Sequence, residues 1–334
     1  MNKKQIEISF LIPCYNCSKT IDRCINSIIT QKYDQNKIFY ICCNDGSNDD
    51  TLIKLKKWQK KVGKNFVIID QKNQGLAGVR TVLIENVKTD YFIFIDSDDY
   101  FFKNAVTHIV EASKWGKYDI TVSKNIRMHD KKKYYMYSYI MFPWTNACDF
   151  IKNNYVFFIW NNLFKTSFIK KYPFKWHTGT NTYEDYAFML YYLSKIEKIG
   201  KCSNHTYAYV KTENSYSIIT NKKWSEKKIE DIVNQYKYFL PQILKKNKYE
   251  ALTKISKIAI LNYFAFSCLT IKALCVIYPI LYKFNGPSKE FYKRLIKNML
   301  EANEKYSIKL QYPKGLVRKT LHFIFRINRI NKTN

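Results

Sequence analysis

Four short apolar runs in the first hundred residues, separated by stretches of helical period, constrain this chain more than any other feature. The runs are 6–13 (IEISFLIP), 37–43 (KIFYICC), 65–70 (NFVIID) and 91–95 (YFIFI); the helical stretches between them are 19–31, 50–61 and 76–87. Strands that alternate with helices in this way build a parallel sheet covered on both faces. The polar residues that end the runs fall in corresponding places: Tyr15 and Asn16 after the first, Asp45, Gly46 and Ser47 after the second, Gln71 after the third, and Asp96, Asp98 and Asp99 after the fourth. In an open parallel sheet ligands sit outside the carboxyl ends of the strands, so these residues are expected to converge on one crevice.

The rest of the chain has a different texture. Residues 101–215 are mixed and aromatic-rich, with IWNNLFKTSFI at 159–169 and the acidic pair Glu184 and Asp185 inside TYEDYAFMLYYL. Beyond 220 the pattern is helical and basic, and the apolar stretch 258–281 is interrupted by Lys272 and Pro279. Its uncharged piece, 258–271, is too short to span a bilayer and is expected to be a core or interfacial helix.

Composition narrows the function. A hydrophobic fraction of 46% and 17% aromatics describe a packed globule rather than a disordered chain. Lys and Arg number 56 against 27 Asp and Glu, a net charge of +29. That excess suits an anionic partner (nucleic acid, acidic lipid or a phosphorylated substrate), although abundant Lys, Asn, Ile and Tyr also suggest compositional drift. The start MNKKQIEISFLIP is charged, but its apolar run reads as a strand rather than a secretory leader, so a cytoplasmic location is expected. Nine scattered cysteines are expected to be reduced, and the Cys14–Cys17 spacing is completed by no second pair or nearby Cys/His set.

The tetrad Asp96, Ser97, Asp98, Asp99 ends a strongly apolar strand. Crowded carboxylates repel unless a cation or a capping role relieves them. Oxygen donors at i and i+2 suit Mg²⁺ or Mn²⁺ holding a diphosphate; as a bare pattern they also suit the cap of a helix near 103–113. Arg80 lies in a helical pattern opened by NQGLAG, where a guanidinium serves a pyrophosphate or orients carboxylates, or is simply solvated. QGLAG lacks the Gly-Lys-Ser/Thr ending of a phosphate loop, and no GxGxxG is present.

Taken in order, the motifs resemble family 2 glycosyltransferases of the GT-A fold. FLIPCYNCSKTIDRCINSIITQ is similar to the family's opening strand and helix, CNDGSNDDT to its acidic segment, and NQGLAGVRTVLIENVKTDYFIFIDSDD to its Gly to Arg to DxD stretch. FIWNNLFKTSFIKKYPF, TYEDYAF and YAYVKTENSYSI continue the resemblance to about residue 220. It implies a GT-A catalytic domain over 1–220, with a nucleotide-binding half (1–100) and an acceptor half (101–220), followed by a helical C-terminal region over 221–334. It further implies that Pro13, Tyr15 and Asp45 contact the nucleoside, that Arg80 and Asp96 lie near phosphates and ribose, and that Asp98 holds the metal, Mn²⁺ or Mg²⁺. Asp185 matches the general base, with Glu184 beside it; the alternative for this pair is an acidic helix N-terminus. His205 is the weaker metal candidate, or a surface histidine. Asn44 stands where the family often has a first Asp, and Thr81 where an Asn often follows the Arg. The QxxRW of large processive synthases is absent.

Residues 314–332 form an amphipathic pattern, with Arg318, Lys319, His322, Arg326 and Arg329 in about a 100° sector and apolar residues around the rest. Such a helix suits an anionic membrane surface, and equally a terminal helix packed on the domain. The first option predicts a peripheral protein on the inner face of the cell membrane, with a lipid or lipid-linked glycan acceptor. The layout also resembles membrane-associated bacterial glycolipid and surface-glycan transferases. The expected activity is inverting transfer of a hexose-type sugar from a nucleoside diphosphate sugar, UDP-linked, to an acceptor hydroxyl. A nucleic-acid enzyme is the main rival, but it needs basic residues beside the acidic crevice, and these concentrate late in the chain; nucleic acid is not an expected partner. A silent membrane scaffold is disfavoured by the retained Asp98 and Asp185, and a nucleotidyltransferase by the absence of a glycine-rich basic loop after the first strand.

Overall fold

The computed structural model describes residues 5–129, 132–134, 158–177, 184–196, 198–211 and 226–243, together with 297, 298 and 301. The apolar stretch 258–281 and the tail 314–332 lie outside the described residues. Among the described residues no helix is long and apolar enough to cross a membrane.

The first half follows the expected alternation. Strands β1 (Ile8–Cys14), β2 (Ile38–Asp45), β3 (Phe66–Gln71) and β4 (Tyr91–Phe94) alternate with helices α1 (Ile21–Ile29), α2 (Thr51–Val62) and α3 (Gly75–Glu85). β1 pairs in parallel with β2 and β4, and β2 with β3. β1 is buried along nearly its whole length, as a strand covered on both faces must be. In α1 the buried residues are Ile21, Cys24, Ile25 and Ile28, an i, i+3, i+4, i+7 stripe, with Asp22 in the first turn complementing the helix dipole. Each fully buried Ile or Leu of this kind contributes about 1.5–3 kcal/mol. The helix ends fall within two residues of the expected bounds: α1 is two residues shorter at each end, α2 starts and ends one residue later, and α3 starts one residue earlier and ends two earlier.

The sheet then changes direction. β5 (Tyr100–Phe101), α4 (Ala105–Ala112), β6 (Ile120–His129), β7 (Lys132–Tyr134), β8 (Leu163–Lys165), α5 (Thr166–Lys171), α6 (Glu184–Leu193), β9 (Gly200–Lys211) and α7 (Glu226–Ile243) follow in chain order. The strand order is β3-β2-β1-β4-β8-β6-β9-β5, with β7 paired to β6. β8 is antiparallel to both β4 and β6, whereas β6 and β9 run parallel.

The chain divides into two compact units. One comprises 1–147, 158–181 and 196–219 and contains the whole sheet; the other comprises 148–157, 182–195 and 220–334. Within the second unit α6 packs on α7. α6 is almost wholly buried, from Glu184 and Tyr186 through Leu193, which its apolar and aromatic sequence requires.

Candidate active site

At the carboxyl ends of β1 and β2 the two following turns are stitched together. Asn16, at φ 47°, donates its N–H to Ser47 Oγ at 3.0 Å, and its Oδ1 accepts the Asn48 N–H at 2.8 Å. Ser18 N–H reaches Asp49 Oδ2 at 3.0 Å and Cys17 N–H reaches Thr51 Oγ1 at 2.8 Å. Burial pulls the Asp49 carboxyl up, but hydrogen bonds from Ser18 and Thr51 outweigh it and hold the group at about 2. Tyr15 stands 52% exposed on this rim, and Pro13, half-buried in β1, pairs with Cys43 of β2. The Cys14 and Cys17 thiols are both buried, and the hydrogen bond to Cys14 together with burial pushes Cys17 far above its ordinary range, which disfavours a reactive thiolate.

Asp45 and Asn44 face different tasks, because successive strand residues point to opposite faces. Asp45 is buried, and its carboxylate accepts Gln71 Nε2 at 2.8 Å, Gln74 N–H at 2.8 Å and Gly75 N–H at 3.0 Å. It therefore holds the 71–75 turn and the start of α3, where unpaired helix N–H groups favour an anion. Asn44 instead lines an open crevice of about 520 Å³ with Gly46, Ser47, Asn48, Leu52, Asp70, Gln71 and Lys72. Its Nδ2 donates to Asp70 Oδ1 at 2.7 Å, while its buried Oδ1 has no partner. The Asn44–Asp70 pair was not singled out in the sequence; the parity of β2 relative to the turn was the only signal for it.

Beyond β4 the tetrad divides by role. Asp96 and Asp98 are half-buried, whereas Asp99 is wholly buried. Burial raises the Asp98 carboxyl despite the opposing pull of Arg23, whose guanidinium also donates to the Asp98 carbonyl. The helix-cap alternative does not hold here: the residue before α4 is Asn104, in the left-handed region at φ 63°. Asp99 binds β9 instead. Two partly exposed carboxylates two residues apart beyond a strand end are of the donor type that holds Mg²⁺ or Mn²⁺, ions commonly bound by one or two carboxylates with substrate phosphates and water completing the shell. Among the described residues no three His, Cys, Asp or Glu side chains converge.

The remaining candidates lie on other elements. Arg80 is buried in α3 with its guanidinium 5.9 Å from the Trp176 ring centre. His205 is half-buried on β9 opposite Lys124; burial and that lysine push its imidazole toward the neutral form. Glu184 and Asp185 form the first turn of α6 in the second unit, Glu184 buried and Asp185 Oδ1 accepting the Tyr186 N–H at 2.8 Å.

A parallel-centred sheet with covering helices, an antiparallel continuation and an acidic turn beyond the fourth strand defines an α/β protein of the GT-A type. The comparisons agree: the model of "Glycosyl transferase family 2" matches residues 9–184, more than half of the chain. The chain belongs to glycosyl transferase family 2. It is 31% identical over 213 residues to the poly(ribitol-phosphate) beta-glucosyltransferase of Bacillus spizizenii, covering 61% of this chain and 32% of that one. It is 32% identical over 181 residues to the processive diacylglycerol beta-glycosyltransferase of Mycoplasma genitalium, covering 49% and 52%. The chain thus spans from about a third to about half the length of these curated relatives. Among solved structures, Staphylococcus aureus TarS superposes with a TM-score of 0.67 at 18% identity, over 93% of this chain and 50% of that one. The complex of TarS 1–349 with UDP-GlcNAc gives 0.62 at 17%, over 92% and 93%.

Proposed function

We propose that this protein is an inverting glycosyltransferase that moves a hexose-type sugar from a UDP-sugar to a hydroxyl of a membrane-borne glycolipid or lipid-linked glycan. The observation that carries this reading is the acidic pair Asp96 and Asp98 beyond β4, at the same carboxyl rim of the parallel strands as the stitched turns that follow β1 and β2. Ligand sites of open parallel sheets fall at this rim; the crevice of about 520 Å³ opens there beside β2 and β3, and Pro13, Tyr15, Asp45, Arg80 and Asp96 are not among its lining residues. Pro13, Tyr15 and Asp45 are assigned to the nucleoside side, Asp45 by setting the 71–75 turn, and Arg80 and Asp96 to the phosphates and ribose. The named substrates of the relatives, a poly(ribitol-phosphate) and a diacylglycerol, support an acceptor of the cell envelope. The solved UDP-GlcNAc complex of TarS supports a UDP-sugar donor.

In this reading Asp98, with Asp96, holds Mn²⁺ or Mg²⁺, which when bound neutralises charge on the departing diphosphate; His205 is the weaker additional ligand. Asp185 takes the proton of the acceptor hydroxyl as its oxygen bonds to the anomeric carbon and the bond from that carbon to the diphosphate breaks. Glu184 supports Asp185 at the start of α6. A single displacement needs one base, unlike the paired carboxylates of glycoside hydrolysis. The amphipathic segment 314–332 is assigned to the inner membrane surface, where each basic residue adds about 1 kcal/mol on anionic lipid.

The test is a panel of UDP-sugars with Mn²⁺ or Mg²⁺, offered to membrane lipid extracts, comparing the wild type with Asp98→Asn and Asp185→Asn. Each variant is expected to lose at least about a hundredfold in transfer. Near-normal turnover in either reassigns that residue. DNA affinity that survives physiological salt, without nucleotide binding, favours the nucleic-acid alternative.

A further inference from the structure

Asp99 stands apart from the other carboxylates of the tetrad. It has no exposed surface; its Oδ1 accepts the Val210 N–H at 2.7 Å and its Oδ2 the Tyr207 hydroxyl at 2.7 Å. The same hydroxyl accepts the Asp96 N–H at 3.1 Å. This last bond falls where β4 has run out: Ile95 N–H still reaches Leu11 of β1, but Asp96 N–H is served by Tyr207 of β9. The turn closes on itself through Asp99 N–H to the Asp96 carbonyl at 3.0 Å.

The Tyr207 ring has little freedom. It is fully buried, stacked on Trp160 at 4.7 Å with 10° between the planes, and met edge-on by Phe101 at 5.3 Å. A phenol held this way offers its donor to Asp99 and a lone pair to Asp96, so one oxygen sets both ends of the acidic turn.

We propose that Tyr207 is a positioning residue for the cation-binding pair: through the Asp96 peptide and the Asp99 carboxylate it fixes where Asp96 and Asp98 stand. The inference rests on the metal-dependent reading above. Its physical ground is that carboxylates serving a cation and a diphosphate need a locked supporting shell, since displacements near 1 Å cost on the order of a hundredfold in rate.

The experiment uses the full chain with UDP, and reads Mn²⁺ affinity by electron paramagnetic resonance alongside kcat, donor KM and Tm. Tyr207→Phe keeps the ring and removes only the hydroxyl. It is expected to weaken Mn²⁺ binding about tenfold and to lower kcat more than it raises KM, with UDP binding in EDTA unchanged. Because Tyr207→Phe also leaves Asp99 Oδ2 without its hydroxyl partner, Tyr207→Phe/Asp99→Asn is measured beside it. The amide keeps an acceptor for Val210 and cannot ionise beside Asp96 and Asp98, so Tm should recover in part while Mn²⁺ affinity stays low. Mn²⁺ affinity within about twofold of wild type in Tyr207→Phe overturns the proposal, as does an affinity that returns with Tm in the double variant. Wild-type protein that binds no Mn²⁺ with UDP present overturns the metal reading itself, and does so before any substitution is made.

Discussion

Asp45 Oδ2 lies 3.0 Å from the backbone nitrogen of Gly75, at the first residue of α3, while Oδ1 of the same carboxylate lies 2.8 Å from that of Gln74. With Gln71 as a third donor, the carboxylate satisfies N–H groups that a helix start leaves unpaired. Asp45→Asn would turn an amide donor toward one of these N–H groups. The expected loss is about 1–3 kcal/mol, seen as a lower Tm by circular dichroism with no ligand present. An unchanged Tm would mean the carboxylate serves only a bound nucleoside.

The first half of the fold was legible because its strands are short apolar runs and its helices carry a clean stripe, as β1 and α1 illustrate. Periodicity does not say that β8 inserts antiparallel between β4 and β6, since pairing partners far apart in sequence leave no local mark. The rim was legible in outline only. Asn44 and Asp45 both end β2, and the pattern does not decide which one faces the crevice and which one turns to α3. Tyr207 opens the YAYVKTENSYSI segment, but its role could not be read there: it is one aromatic among many, and its partner Asp99 lies 108 positions away.

Two glycines should separate backbone strain from steric overlap. Gly63 closes α2 at φ 83° and ψ −143°, close to a region occupied essentially by glycine alone, with nothing within 4 Å of a Cβ added there, so Gly63→Ala should cost only this backbone strain, about 1–3 kcal/mol. Gly116 has φ 88°, and an added Cβ would stand 2.5 Å from the Tyr91 hydroxyl, which donates to the Gly116 carbonyl. Gly116→Ala should therefore cost about 2–4 kcal/mol in urea denaturation. Equal losses for the two would mean Tyr91 yields freely.

Lys195 follows α6 and is buried, and burial pushes its ammonium down to about 8. Below that pH the folded chain bears a charge that burial disfavours, with the Tyr191 ring 5.0 Å from the ammonium. Between 8 and the ordinary 10.5 the unfolded chain keeps a proton that the folded chain has released, so wild-type stability rises with pH through this window. Lys195→Met should accordingly raise Tm at pH 7 by about 2 °C, with the advantage shrinking toward pH 10. An advantage that does not change with pH would place the ammonium in water.

Asn44 gives a prediction in which stability and specificity meet. Its Nδ2 donates to Asp70 Oδ1 at 2.7 Å, so the amide that replaces the family's frequent Asp sits against a carboxylate. Asn44→Asp would set two carboxylates in contact at a position only 2% exposed, and one of them would have to keep its proton. A carboxyl whose folded pKa is raised contributes stability that is present below its unfolded pKa and lost as pH rises through the folded value. Asn44→Asp should thus melt well below wild type at pH 7.5, by about 1–3 kcal/mol, and approach it near pH 4. Asn44→Asp/Asp70→Asn removes the like-charge contact but leaves a carboxyl at the buried position, so it should recover only part of the lost Tm at neutral pH. A single variant whose deficit is the same at both pH values would show that the two side chains do not meet.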